Sequence, residues 1–138
     1  MTDDGRKWTV EEASTEPLTV YKFEKLEVYR MALKYTDMIY GLAQALPKTE
    51  EHNLKSQIVR ATTSIALNIA EGSTSLSDME QRRFLSMAVR SLLETVACQQ
   101  MIKRCKYVNE EELAKSYEFS QMLFVKLQAM RRVLKESE

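Results

Sequence analysis

Val28, Ala32, Tyr35, Ile39, Leu42 and Leu46 stand alternately four and three residues apart. That alternation is a heptad seam, which lines one face of an α-helix and cannot line one face of a strand, whose period is two. Leu26, Tyr29, Leu33 and Tyr40 widen the apolar face, and Pro47 closes the segment. The pattern predicts a helix over residues 23–46. With 3 Gly and 2 Pro among 138 residues, turn-rich β architectures are excluded and long helices with short connections are favoured.

Three more helices follow from the same reading. One spans residues 51–71, with Gly72 as a left-handed cap. The next spans 77–104; it opens on the capping box Ser77 to Glu80 and runs through Phe84, Leu85, Ala88, Leu92, Val96 and Met101. The last spans 109–135, with Asn109 before an acidic first turn (Glu110 to Glu112) and a basic end (Arg131, Arg132, Lys135). Its apolar positions are Leu113, Tyr117, Phe119, Leu123, Phe124, Leu127, Met130 and Leu134. Four such helices make an antiparallel, up-down-up-down, all-α four-helix bundle in one domain over residues 22–138. Residues 1–21 read as a polar tail, either without fixed structure or an arm that docks on a partner through Trp8.

Residues 54–72 carry three lines along one helix. Leu54, Ile58, Ala61, Ile65 and Ile69 form a core stripe. Val59, Ala66 and Ala70 form a second, small apolar strip suited to a neighbouring subunit. Gln57, Arg60, Ser64, Asn68 and Glu71 fall in one narrow line beside the core stripe. Buried polar groups must be paired, so this line is expected to be a partly buried network that sets helix register. Glu94, among Leu92, Leu93 and Val96, is the expected partner of Arg60, and loss of a buried pair would cost about 3–5 kcal/mol. The alternative is that Arg60 and Asn68 contact an RNA phosphate or a ligand directly.

Little in the chain points to catalysis. Cys98 and Cys105 are seven residues apart on one helix, about 10 Å along its axis, so they cannot bridge and read as reduced thiols. His52 is the sole histidine, which leaves no metal-spaced ligand set and no paired Glu-x-x-His of a di-iron bundle. Phosphate-cradling glycine loops and a base for a nucleophile are missing too. The expectation is a protein that is not an enzyme and holds no cofactor. No apolar run reaches membrane-spanning length and no signal peptide is visible, which places the chain in the cytoplasm. Net charge is zero, yet residues 52–108 hold eight basic and four acidic residues. Lys55, Arg82, Arg83, Arg90, Lys103, Arg104 and Lys106 in that segment are candidate nucleic-acid contacts.

The stretch LKSQIVRATTSIALNIAEG, residues 54–72, resembles the signature of the four-helix-bundle proteins encoded in 23S rRNA intervening sequences. Ser56, Gln57, Ile58, Arg60, Ala61, Ser64, Ile65, Asn68, Ile69, Ala70, Glu71 and Gly72 carry the likeness. FEKLEVYRMA (23–32) is similar to the family's opening, and FLSMAVRSLLE (84–94) to its third helix; Arg90 departs from it where a small residue is usual. The resemblance extends to the accessory variability determinant proteins of diversity-generating retroelements. It implies a homopentameric ring that binds RNA or a ribonucleoprotein partner such as a reverse transcriptase, with no catalytic residue to transfer. A ring that acts as a protein-only scaffold, without touching nucleic acid, is the alternative.

Overall fold

A computed structural model describes residues 20–135. Among them are four α-helices and no strand: α1 Glu27–Gln44, α2 Leu54–Gly72, α3 Asp78–Cys105 and α4 Glu110–Arg132. Short 3-10 turns, Lys22–Lys25 and Lys48–Glu50, precede α1 and α2.

Side-chain pairs fix the directions. Arg60 meets Glu94, Ser64 meets Ser91 and Gly72 faces Phe84, so α2 and α3 are antiparallel. Gln99 meets Ser116 and Ser86 meets Arg131, so α3 and α4 are antiparallel. Glu27 meets Lys126 and Tyr35 stacks on Phe119, so α1 and α4 are antiparallel. Each helix packs on its two neighbours in the circuit α1–α2–α3–α4. The centre holds Tyr35, Ile39, Ile58, Ile65, Leu85, Leu92, Ile102, Leu123 and Leu127, all fully buried.

The helix boundaries show where local chemistry overrode periodicity. The expected helix over 23–46 is broken at Leu26, whose ψ of 129° is extended. The break lets the Phe23 ring fold edge-on against Tyr29, 4.8 Å between centroids. Arg30 then donates to the carbonyls of Glu24 and Lys25 at 3.1 and 3.2 Å, satisfying backbone that the helix would have paired. The second helix starts three residues later than expected. Glu50 accepts from the Leu54 backbone N–H at 3.4 Å and from the Asn53 amide at 3.0 Å, so its carboxylate serves the helix N-terminus.

Gly72 is not the left-handed cap expected of it. It lies within α2, and Ser73 after it is right-handed, with φ −68°. Glycine is needed there for space: a Cβ would sit 2.9 Å from the Phe84 Cβ. The left-handed residue falls instead at Lys106, φ 56°, which ends α3. Ser77 and Asn109 do cap α3 and α4: Ser77 accepts from the Glu80 N–H at 3.1 Å, and Asn109 from Glu111 at 2.7 Å and Glu112 at 3.3 Å. The last helix ends at Arg132, short of 135. Of the second apolar strip on α2, Ala66 is buried within this chain, while Val59 and Ala70 are half-buried.

Candidate functional site

The polar stripe of α2 has a paired, partly buried centre, with Arg60 and Glu71 exposed on either side of it. At the centre, Ser91 on α3 donates to Ser64 Oγ at 2.9 Å, and the Asn68 amide donates to Ser64 Oγ at 2.9 Å and to the Ser64 carbonyl at 2.8 Å. Small hydroxyls here allow α2 and α3 to approach closely. Upstream, the Gln57 amide donates to the side chain of Asn53, the residue just before α2, at 2.9 Å. Arg60 does face Glu94, but at 3.9 Å and with side chains 70% and 46% exposed. The expectation of a buried ion pair is therefore corrected: on this chain the pair lies in solvent, where such contacts contribute little. Glu71 is exposed as well.

The polar network that is buried lies elsewhere. Tyr35 Oη and Thr95 Oγ1 are 2.8 Å apart, the Gln99 amide donates to Tyr35 Oη at 2.7 Å, and Ser116 donates to Gln99 Oε1 at 2.8 Å. Thr95 and Ser116 also donate to the Leu92 and Leu113 carbonyls, at 2.6 and 3.1 Å. The chain of bonds ties α1, α3 and α4 together across the centre. Burial pushes the Tyr35 hydroxyl up to about 12, against smaller opposing effects of its bonds to Thr95 and Gln99, so it stays neutral and serves as a joint rather than a base. Burial likewise raises the Cys98 thiol, with the Glu94 carboxylate adding to it, which makes this cysteine a poor nucleophile.

The seven candidate phosphate contacts do not form one patch. Lys55, Lys103, Arg104 and Lys106 lie at the end of the bundle where α2 begins and α3 finishes, while Arg82 and Arg83 lie near the start of α3. The 21 residues from Arg82 to Lys103 put about 31 Å of helix between the groups. The first end also carries Glu50, Glu51 and the acidic turn of α4. Lys55 pairs with Glu51 at 3.2 Å, and Lys106 is the left-handed cap of α3.

Arg82 is engaged inside the bundle: it donates to the Arg131 carbonyl at 2.8 Å and approaches the Leu134 carbonyl at 3.5 Å. It caps α4, whose Arg131 in turn donates to Ser86 at 2.9 Å. Asp78 accepts from the Lys135 backbone N–H at 3.2 Å on the same side. Arg82 is thus a structural clamp rather than a surface contact. Arg83, Arg90 and Arg104 differ. All three are exposed. Separated by seven and fourteen residues, they follow one outward line of α3, about 10 Å per heptad. Arg83 lies 4.0 Å from Glu80 and 5.7 Å over the Phe84 ring. Trp8 lies outside the described residues.

At the Arg104 end, Tyr107 donates to Glu50 Oε2 at 2.8 Å and so ties the α3–α4 loop to the α1–α2 loop. That bond pulls the Glu50 carboxyl down and drives the Tyr107 hydroxyl up to about 12. Shallow cavities open between α3 and α4, about 300 Å³ beside Leu93 and Val125 and about 450 Å³ beside Gln100 and Glu110. Another of about 480 Å³ lies between α1 and α4 beside Gly41 and Glu112. Among the described residues no group of three His, Cys, Asp or Glu is placed to hold a metal, and no helix is long and apolar enough to cross a membrane.

Residues 24–129 match the family model for 23S rRNA-intervening sequence proteins. The fold is similar to the 1.70 Å crystal structure of a protein of unknown function from the S23 ribosomal protein family of Bacteroides thetaiotaomicron. The two share 24% identity at a TM-score of 0.70, over 75% of this chain and 97% of the other. No curated protein matches the chain.

Proposed function

The chain belongs to the 23S rRNA-intervening sequence protein family, and from that membership we propose a non-enzymatic accessory protein, cytoplasmic and assembled as a homopentameric ring, that binds RNA or a ribonucleoprotein partner. The resemblance to accessory variability determinants makes a retroelement reverse transcriptase the partner class to test first. The observation that carries the reading is the exposed line of Arg83, Arg90 and Arg104 on α3. Cations spaced along one straight edge suit a phosphate backbone, which rewards accumulated charge more than any single contact. Repetition of that edge around a ring gives avidity without a strong single site.

The test is binding of structured RNA at several salt concentrations. Affinity should fall as salt rises, and the triple substitution of Arg83, Arg90 and Arg104 to Gln should flatten that dependence. Affinity that ignores salt, or that the triple variant retains in full, would remove the RNA reading. A protein-only scaffold is favoured by one specific observation, the acidic turn of α4 beside Lys103 and Arg104, which opposes phosphate at that end. In that case deletion of residues 1–21, with Trp8, should abolish partner capture while leaving the ring intact; capture that survives would dismiss the arm.

A further inference from the structure

The 3-10 turn Lys22–Lys25 buries none of its residues, so the core gives no reason for its fixed shape. Side chains hold it all the same. Arg30 Nε donates to the Glu24 carbonyl at 3.1 Å, and Arg30 Nη2 to the Lys25 carbonyl at 3.2 Å. Three rings then lead from the core into water. Tyr29 packs against the core. Phe23 stands edge-on to Tyr29 with 4.8 Å between centroids. Tyr21 is stacked on Phe23, 6.0 Å between centroids and only 6° from parallel. The outermost ring is 71% exposed. Lys22 and Lys25 beside it are exposed too, as is Glu24, the turn's one carboxylate. The next carboxylate, Glu27, is taken by Lys126 at 3.2 Å. The turn lies at the end of the bundle where α2 finishes and α3 begins, which is also the Arg83 end.

We propose that Tyr21 is a stacking platform for an unpaired base of single-stranded RNA, with Lys22 and Lys25 on the neighbouring phosphates. An exposed aromatic ring gains most from another flat π face, and every base has one, so such stacking tolerates any sequence. A nucleotide presents that face and a negative charge together. Tyr21 and Lys22 present the matching pair on adjacent residues. An apolar peptide would use the ring and leave the lysines idle. In a duplex, both faces of an internal base are already covered by its neighbours, so the platform selects single strands. Because the Arg30 bonds and the ring ladder fix the turn beforehand, little ordering remains to oppose binding. The Arg83, Arg90 and Arg104 line attracts any phosphate backbone; the platform adds a preference for unpaired strand. This inference rests on the RNA reading of the previous subsection and names the form of RNA it takes.

The experiment measures binding of oligouridylate of about ten nucleotides, and of its duplex with oligoadenylate, to the full chain and its variants by fluorescence anisotropy. Tyr21→Leu should weaken the single strand about ten-fold, the loss of one stacked base. It should leave duplex binding and the salt dependence unchanged. Tyr21→Phe keeps the ring and should keep wild-type affinity. Lys22→Gln combined with Lys25→Gln should lower the slope of log affinity against log salt by about 1.4, at about 0.7 for each charge on a single strand. Tyr21 is largely exposed, so Tyr21→Leu should keep its helical circular dichroism; if it does not, Tyr21→Gln takes its place. Equal affinity of wild type and Tyr21→Leu for oligouridylate overturns the inference, and so does an equal loss on the duplex. A changed oligomeric mass in Tyr21→Leu overturns it as well, since another copy would then be what covers the ring. A wild type that binds structured RNA but not oligouridylate overturns the inference alone; one that binds neither overturns the RNA reading with it.

Discussion

Two rows of polar side chains run across this bundle, and they behave in opposite ways. Thr95 and Gln99 lie on the core stripe of α3, between Leu92 and Ile102, and are sealed from water with Tyr35 and Ser116. Arg60, Ser64 and Asn68 lie on the edge of α2 beside its core stripe; Ser64 bonds across to Ser91 on α3, while Arg60 reaches Glu94 on α3 only in solvent. Position on the helix, more than residue type, separates them. A polar group that replaces a core residue must find partners inside the protein. A polar group one step round the helix keeps water as an alternative partner. The inner row therefore specifies how α1, α3 and α4 register, and the outer row lets α2 approach α3 closely while leaving a charge outside.

The inner row should be the costliest to disturb. Gln99→Ala removes the bridge between Tyr35 and Ser116 and opens a cavity, so chemical denaturation should show a loss of about 2–4 kcal/mol. Gln99→Leu fills the space and leaves Tyr35 its Thr95 partner and Ser116 the Leu113 carbonyl; its loss should be about half as large. Equal losses for the two would mean that volume, not the network, holds the centre.

Between the two rows in expected effect is the α2–α3 contact at Gly72. An added methyl would gain about 1 kcal/mol of helix propensity but would meet the Phe84 Cβ at 2.9 Å, and overpacking of this kind costs about 1–3 kcal/mol. Gly72→Ala should therefore lower the thermal midpoint. Phe84→Gly in the same chain should convert the alanine into a gain relative to Phe84→Gly alone. If Gly72→Ala stabilises the unmodified chain, the close approach is looser than described.

The inner row also has a pH signature. Tyr35 titrates at 10.0 when solvated and is pushed up to about 12 by burial. A raised value means the folded chain holds its proton longer. The stabilising contribution is complete below pH 10 and fades as pH rises to about 12, with a slope of about 1.4 kcal/mol per pH unit. Tyr35→Phe should start less stable at neutral pH, lacking both hydrogen bonds, and should lose less between pH 10 and 12 than the wild type. Parallel curves for the two proteins would show that Tyr35 does not carry the alkaline transition.

Much of the fold was legible in the sequence because heptad spacing and caps are local signals. Ser77 and Asn109 were readable as caps, and the pairing of Arg60 with Glu94 followed from charge and spacing. Depth was not readable. The line from Gln57 to Glu71 is partly buried at Gln57, Ser64 and Asn68, as its place beside the core stripe suggests, but Arg60 and Glu71 are exposed; a helix wheel cannot say where the neighbouring helix ends and water begins. Gly72 has the position of a cap, after the last periodic residue; its contact with Phe84 depends on a residue of the next helix, twelve positions further on. Arg82 looked like its neighbour Arg83, and only the approach of the α4 C-terminus separates a clamp from a surface charge. The inner row has a signal in the sequence: Thr95 and Gln99 continue the four-three spacing of Leu85, Leu92 and Ile102, and a polar residue in such a place announces a partner.

The smallest effect should come from the outer row. With Arg60 70% exposed and 3.9 Å from Glu94, Arg60→Ala should cost the isolated bundle less than about 0.5 kcal/mol, well below the loss expected of a buried pair. Glu94→Ala should match it, and the double substitution should be close to the sum of the two, since solvent screens the interaction. A loss of several kcal/mol at protein concentrations where the chain is monomeric would mean that the charge is buried within a single chain after all. The same loss seen only at concentrations where copies associate would mean instead that a neighbouring copy covers the α2–α3 edge, so that the outer row is exposed on one chain and enclosed between two.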